Sequence, residues 1–276
     1  MKRYSKLIPQ GTRDLLFEEC DDRRNVESIL SALFKEYNYR TVEFFDVFSE
    51  NDLGIEAEEM YKLSDSLGRT TVLRPDNTAP IARLVATRLS KEDFPVKLYY
   101  NQNVYVRNKS LAGRADETEQ SGIEFIGDGS IDADIEVISM AYEALKRNNV
   151  ASFKLELCHA GFFKSILNKM DITATQKADI CKLIEGKNYA ALGDMLAKFP
   201  DSKEADVIKK LPRLFGDVSV INEAKKLYND EKSNEALDYL RSVYEKLCDM
   251  GLGDNITIDL GLVNRSNYYT GVIFRG

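Results

Sequence analysis

From Val96 to Arg107 the chain alternates without a break. Val96, Leu98, Tyr100, Gln102, Val104 and Val106 fall on one side, and Lys97, Tyr99, Asn101, Asn103, Tyr105 and Arg107 on the other. A period of two over that length predicts a long strand with two unlike faces. A polar stretch from Asn108 to Glu117 separates it from a second run, Thr118 to Ile126, so the two are expected to pair antiparallel across a loop. On the second strand Gln120, Gly122, Glu124 and Ile126 share a face, which sets an amide and a carboxylate on the same side of a sheet with a glycine between them. A fold built on this pair needs helices to cover it, and the flanking segments supply them.

Val26, Ile29, Leu30, Leu33, Phe34 and Tyr37 recur at helical spacing, predicting a long helix from Glu18 to Tyr37 that buries one face. Tyr39 to Phe45 reads as a strand, as does Thr70 to Leu73. The segment Arg74-Pro75-Asp76-Asn77-Thr78-Ala79-Pro80 offers N-cap residues and a proline suited to a first turn, opening a helix with Ile81, Leu84, Val85 and Leu89 inward. A further helix uses Ile135, Ile138, Ala141, Tyr142 and Leu145, and Phe153 to Cys158 is a strand. Residues 160 to 249 read as wholly helical, closing on an amphipathic helix with Ala236, Leu237, Leu240, Val243, Tyr244 and Leu247. Two strands, Ile256 to Leu260 and Tyr268 to Phe274, follow. Strands and helices, then a helical block, then strands again predict an α+β fold: an antiparallel sheet flanked by helices, with a helical insertion at 160–249. No internal repeat interrupts this order.

Several function classes drop out on composition. The net charge is −7, so the chain as a whole lacks the cationic excess that non-specific nucleic-acid binding relies on. Its four cysteines are far apart and His159 is the single histidine, which disfavours structural zinc and suits a reducing compartment. With no G-x-S-x-G, G-x-G-x-x-G or G-x-x-x-x-G-K-[ST] in the chain, triad-hydrolase, Rossmann and P-loop chemistry lack their motifs. His159, just after an alternating run, is expected to be a structural residue at a strand end. Acidic residues arrive before any apolar core of a signal peptide, and no apolar stretch reaches the ~18 residues of a membrane span, so a cytoplasmic location and no membrane partner are expected.

The acceptors Asp76, Thr78, Gln120 and Glu124 stand at strand ends or on an inward strand face. Carboxylates and an amide converging about a glycine suit an ammonium or imidazole group, because ionised acceptors make charge-assisted hydrogen bonds to cationic donors. The ordinary alternative is that each is an N-cap or a strand-surface polar residue, and on spacing alone it is the commoner case. Tyr268 and Tyr269 could wall a pocket or point to opposite faces of a strand. Arg107, at a strand end, could meet a phosphate or carboxylate or make a surface ion pair, the last being commoner.

Taken in order, Pro9-Gln10-Gly11-Thr12-Arg13-Asp14, Leu73 to Pro80, Val106-Arg107 with Gly113-Arg114, Gln120 to Gly127, and Asn267-Tyr268-Tyr269-Thr270-Gly271 resemble the histidyl-tRNA synthetase-like family of class II synthetases over nearly the whole chain. The resemblance implies that Asp76, Thr78 and Gln120 hold the α-amino group of histidine, and that Glu124 with Tyr268 and Tyr269 holds its imidazole. Within the family the chain is most similar to non-catalytic paralogues of histidine biosynthesis. That implies a histidine-binding, feedback-regulating role beside the short-form catalytic subunit of ATP phosphoribosyltransferase, a homodimer, no tRNA and no cofactor or metal. The other expectations are a histidyl-tRNA synthetase or a fragment of one, and a synthetase-like scaffold that binds another amino acid or no ligand.

Departures favour the first. The synthetases' catalytic arginine falls on neutral Asn264, a further loop arginine falls on Asp116, and the glutamate after the second-motif arginine has become Lys109, leaving Arg107 as a vestigial ATP or phosphate contact. Removing a positioned cation from developing charge commonly costs ~10²-fold or more in rate. Phe45 stands where the first motif has a proline at the dimer interface. One core over 1–276, cut short at its C-terminal end, is the expected domain plan.

Overall fold

The computed structural model describes residue 8 and residues 11–45, 47–49, 57–108, 114–263 and 269–276. The chain divides into two compact units, Met1–Gly129 and Ser130–Gly276. The α+β class holds in both.

In the first unit, α1 (Glu18–Glu36) precedes β1 (Arg40–Thr41), β2 (Val47–Ser49), β3 (Lys62–Ser64) and β4 (Thr70–Leu73). Then come α2 (Thr78–Arg88), β5 (Val96–Tyr105) and β6 (Glu117–Ile126). β5 and β6 pair antiparallel over their full length, and β1 lies parallel to β5 on its other edge. A second small sheet has the order β2-β4-β3. The inward face of β5 contributes Leu98 and Tyr100 to a core with Ile81 and Val85 of α2, Val72 of β4, Met60 and Phe44. The opposite face meets α1, where the rings of Phe34 and Tyr99 lie 5.5 Å apart.

Two expectations need correction here. Tyr39 to Phe45 forms strand only at Arg40–Thr41, because the Phe44 carbonyl accepts instead from the side chains of Arg74 (3.1 Å) and Gln102 (3.1 Å). Of the predicted α1 face only Leu33 and Phe34 are fully buried, while Val26 is 42% exposed. The N-terminal half of α1 borders a polar cavity of about 1380 Å³, reached by Asn101, Asn103, Glu117 and Glu119 from the face of β5–β6 opposite Gln120. Arg23 of α1 pairs there with Glu119 and donates to Asn103.

The second unit carries α3 (Ile131–Arg147), β7 (Leu155–His159), α4 (Ala160–Lys169), α5 (Ala174–Glu185), α6 (Tyr189–Leu196) and α7 (Lys203–Lys210). After these come β8 (Phe215–Gly216), α8 (Ser219–Leu227), α9 (Glu231–Asp249), β9 (Ile256–Asp259) and β10 (Val272–Arg275). Its sheet runs β10-β7-β9-β8, with β7 and β9 parallel and the other pairs antiparallel. Leu155, Leu157, Ile256 and Ile258 pack in one core with Phe162 and Ile166 of α4 and with Leu237, Leu240 and Val243 of α9. The block at 160–249 is not wholly helical, since Phe215 and Gly216 form β8 against Asp259 and Ile258. Two residues are too few for any periodicity, so nothing local marks that strand. Helix starts are set by side chains: Thr173 and Gln176 form a reciprocal capping box on α5, and Ser130, Asn188, Ser202 and Asp230 cap α3, α6, α7 and α9. No described helix is long and apolar enough to cross a membrane.

Candidate functional site

The register of β5 and β6 decides which side chains meet. Leu98 stands opposite Glu124, Tyr100 opposite Gly122 and Gln102 opposite Gln120, all on the face that α2 covers. The start of α2 therefore comes down beside Gln120 and Glu124. Thr78, its first residue, and Asp76 both come close enough to the Glu124 carboxyl to bear on its titration. The Glu124 carboxyl is held above the usual carboxylate range, first by burial and then by the charge of Asp76, against the opposing pull of the Thr78 hydroxyl. Asp76 Oδ1 accepts from the Ala79 amide at 3.1 Å and so caps α2. Asn77 Nδ2 donates to Gln120 Oε1 at 3.0 Å.

Four of the expected site residues, Asp76, Thr78, Gln120 and Glu124, are thus gathered in the first unit. Tyr268 and Asn264 lie outside the described residues. Tyr269 belongs to the second unit, where it is partly buried against the core and its carbonyl accepts from Lys164 Nζ at 2.5 Å. Arg107 follows the end of β5, exposed, with its amide donating to the Glu59 carbonyl at 2.9 Å and its charge felt by Asp116.

Two residues of this site escaped the sequence. Tyr100 is 8% exposed and lies across Gly122: a Cβ on Gly122 would stand 2.5 Å from the Tyr100 hydroxyl. The glycine thus leaves room for an aromatic floor between Gln120 and Glu124, a signal legible only once the two strands are in register. Gly122→Ala is expected to push the Tyr100 hydroxyl aside at a cost of about 1–3 kcal/mol. By the urea midpoint of each variant, adding Tyr100→Phe should recover only part of that loss, because the ring Cζ would still stand 2.7 Å from the new Cβ. Asn77, the other residue, was legible only as a capping candidate.

Asp116 has a different use. The Tyr61 hydroxyl donates to its carboxylate and the Asn108 amide reaches it at 2.9 Å, while its own amide donates to the Gly11 carbonyl at 2.6 Å. The Tyr61 hydrogen bond, foremost, holds the carboxyl below the usual carboxylate range, and burial pushes Tyr61 up to about 12. Gly11, at φ +81°, is close-packed on this carboxylate, so a side chain there would clash as well as strain the backbone. The anion at this position ties the loop after β5 to the segment before α1. His159 ends β7 and caps α4, its Nδ1 accepting from the Gly161 amide at 3.1 Å with Tyr239 edge-on to the ring, and burial holds its imidazole below the usual range. It is a structural residue, as expected. Among the described residues no group of three or more His, Cys, Asp or Glu side chains could hold a metal ion.

Comparison with known proteins agrees over the whole chain. The family model described as histidyl-tRNA synthetase matches residues 11–276. The ATP phosphoribosyltransferase regulatory subunit of Clostridium novyi is 43% identical over 284 residues, covering 100% of this chain and 68% of that protein. A crystal structure titled an ATP phosphoribosyltransferase regulatory subunit/histidyl-tRNA synthetase, from Bacillus halodurans, superposes with a TM-score of 0.90 at 32% identity, covering 99% of this chain and 73% of that one. Histidyl-tRNA synthetase from Nostoc sp. PCC 7120 shares the fold, with a TM-score of 0.80 at 20% identity over 98% of this chain and 64% of that one.

Proposed function

Because the chain belongs to the histidyl-tRNA synthetase family, and within it to the ATP phosphoribosyltransferase regulatory subunits, we propose that it is a non-catalytic subunit that binds histidine and passes that occupancy to a short-form catalytic ATP phosphoribosyltransferase. The observation that carries the histidine part is the gathering of Asp76, Thr78, Gln120 and Glu124 at the start of α2. Two half-buried carboxylates beside an exposed hydroxyl and an exposed amide suit a small ligand with an ammonium and an imidazole N–H. Neutral Asn264 and acidic Asp116 stand where the resemblance places synthetase arginines, which supports sensing over acyl-phosphate chemistry. Asp116 is moreover committed to Tyr61 and Asn108.

Feedback control needs histidine to favour one state of the assembly over another, since a ligand of equal affinity for both shifts nothing. Assembly as a homodimer belongs to the same proposal. The test is co-purification of the chain with a short ATP phosphoribosyltransferase, followed by assay of the mixture. The expected result is phosphoribosyl transfer that depends on both chains and falls when histidine is added. A chain that neither binds nor activates the catalytic subunit would overturn the proposal. Histidine-dependent ATP–pyrophosphate exchange by the chain alone would replace it with a synthetase.

A further inference from the structure

Asn77 occupies the N-cap position of α2 without capping it. An asparagine there ordinarily gives its side-chain oxygen to the amide two or three residues on. Here no side-chain cap bond is made by Asn77, and Asp76 supplies the cap through Ala79 instead. Asn77 is 1% exposed, and its Nδ2 donates to Gln120 Oε1 at 3.0 Å across 43 residues of sequence. Its own Oδ1 is buried without a partner. As placed, the pair leaves that oxygen and the second Nδ2 proton unmatched, and turning both amides over would instead leave both Nδ2 protons unmatched. Gln120 itself is on the open side of the pair, and its Nε2 has no partner among the described residues.

From this we infer that Asn77 is a positioning residue that turns the Gln120 amide so its NH2 faces the ligand, making Gln120 the donor that recognises the ligand's carboxylate. The inference rests on the histidine-binding proposal and changes one role within it. Resemblance assigns Gln120 to the α-amino group, yet the acceptors Asp76 and Glu124 already suit the cationic end of an amino acid. The carboxylate has no arginine at position 264 to meet it. A fixed amide donor fills that need with hydrogen bonding in place of charge. It also makes the pocket selective, because a site built to hydrogen-bond one group of a ligand rejects the analogue that lacks it.

The test compares histidine with histidinol, which keeps the imidazole and amine but has a hydroxymethyl group in place of the carboxylate. Calorimetric titration of the full chain, Asn77→Asp and Asn77→Ala should show histidine weakened about tenfold in each variant, with histidinol changed less than about twofold. Asn77→Asp can only accept, so it reverses Gln120, while Asn77→Ala releases it and guards against misfolding by the buried charge. Equal losses for the two ligands, or none, would overturn the inference, since a residue serving only the fold cannot tell them apart. If the unaltered chain takes up neither ligand, the histidine proposal fails. The positioning role is then judged by the Gln120 side-chain amide resonances in nitrogen-resolved NMR: a shift in Asn77→Ala upholds it, and unmoved resonances dispose of it.

Discussion

Glu124→Ala is expected to weaken histidine binding about 10- to 100-fold, the value of one charge-assisted hydrogen bond to a ligand in a partly desolvated site. The fold should survive, for a reason that lies in the titration of this group. Burial and the neighbouring charge of Asp76 raise its carboxyl above the usual range. A carboxyl raised in the folded state binds its proton more tightly there than in the unfolded chain. Its contribution to stability is therefore full below the unfolded value and is lost as pH rises through the folded one. Once pH exceeds that folded value the ionised group stabilises nothing by being buried, so removing it there should leave the melting temperature unchanged or slightly higher. The same shift predicts proton release on binding: in mildly acidic solution Glu124 must give up its proton to accept from the imidazole. Titrations in two buffers of different ionisation enthalpy should reveal that release in the unaltered chain and its absence in Glu124→Ala. Unchanged affinity in the variant would show that histidine, if bound, sits elsewhere.

The largest loss of stability is expected from Arg74→Ala. Arg74 is 2% exposed, immediately before the site segment. Its Nε donates to the Asn103 carbonyl at 2.8 Å, its Nη1 to the Phe44 carbonyl at 3.1 Å, and the guanidinium lies 5.0 Å from the centre of the Phe44 ring. It thus joins β5 to the irregular stretch after β1 and holds the turn into α2. Truncation takes the Arg74 donor from the Asn103 carbonyl, at about 1–3 kcal/mol, leaves the Phe44 carbonyl with Gln102 as its donor, and opens a void besides. A total of about 3–5 kcal/mol is expected, which in a chain of this size lowers the melting temperature by about 10 °C. Arg74→Lys should restore only part of it, because one ammonium cannot repeat the planar fork that reaches both carbonyls. Circular dichroism melts of the three chains decide the matter. A loss under about 1 kcal/mol would mean that water takes over the Asn103 carbonyl and Gln102 suffices for that of Phe44.

Periodicity carried much of this fold. The alternation at 96–107 and 118–126 gave rise to the expected antiparallel pair, and the helical spacing of Ala236, Leu237, Leu240, Val243 and Leu247 placed all five in a core. Thr70–Leu73 has the expected bounds. Where periodicity misled, a tertiary partner was the cause. The stretch after Thr41 has strand-like composition, yet its carbonyl at Phe44 is spoken for by Arg74 and Gln102. The first half of α1 has apolar residues at helical spacing, yet Val26 finds no core to enter. In the candidate site the parity of β6 was enough to set Gln120 and Glu124 on one face, and the capping chemistry of Asp76, Asn77 and Thr78 was enough to start a helix there.

The sequence by itself determined the faces, since the direction of a side chain along a strand or helix depends only on local backbone geometry. It also determined the chemistry on offer: two carboxylates, a hydroxyl and an amide. Tertiary structure alone decided which of these groups meet. Thr78 reaches Glu124, Asn77 takes Gln120 in preference to its own helix, and Tyr100 fills the space that Gly122 leaves. Each contact joins residues distant in sequence, and each depends on a strand register and a helix position that packing sets. A hydrogen bond rewards an ångström of placement, and local periodicity carries no information at that scale.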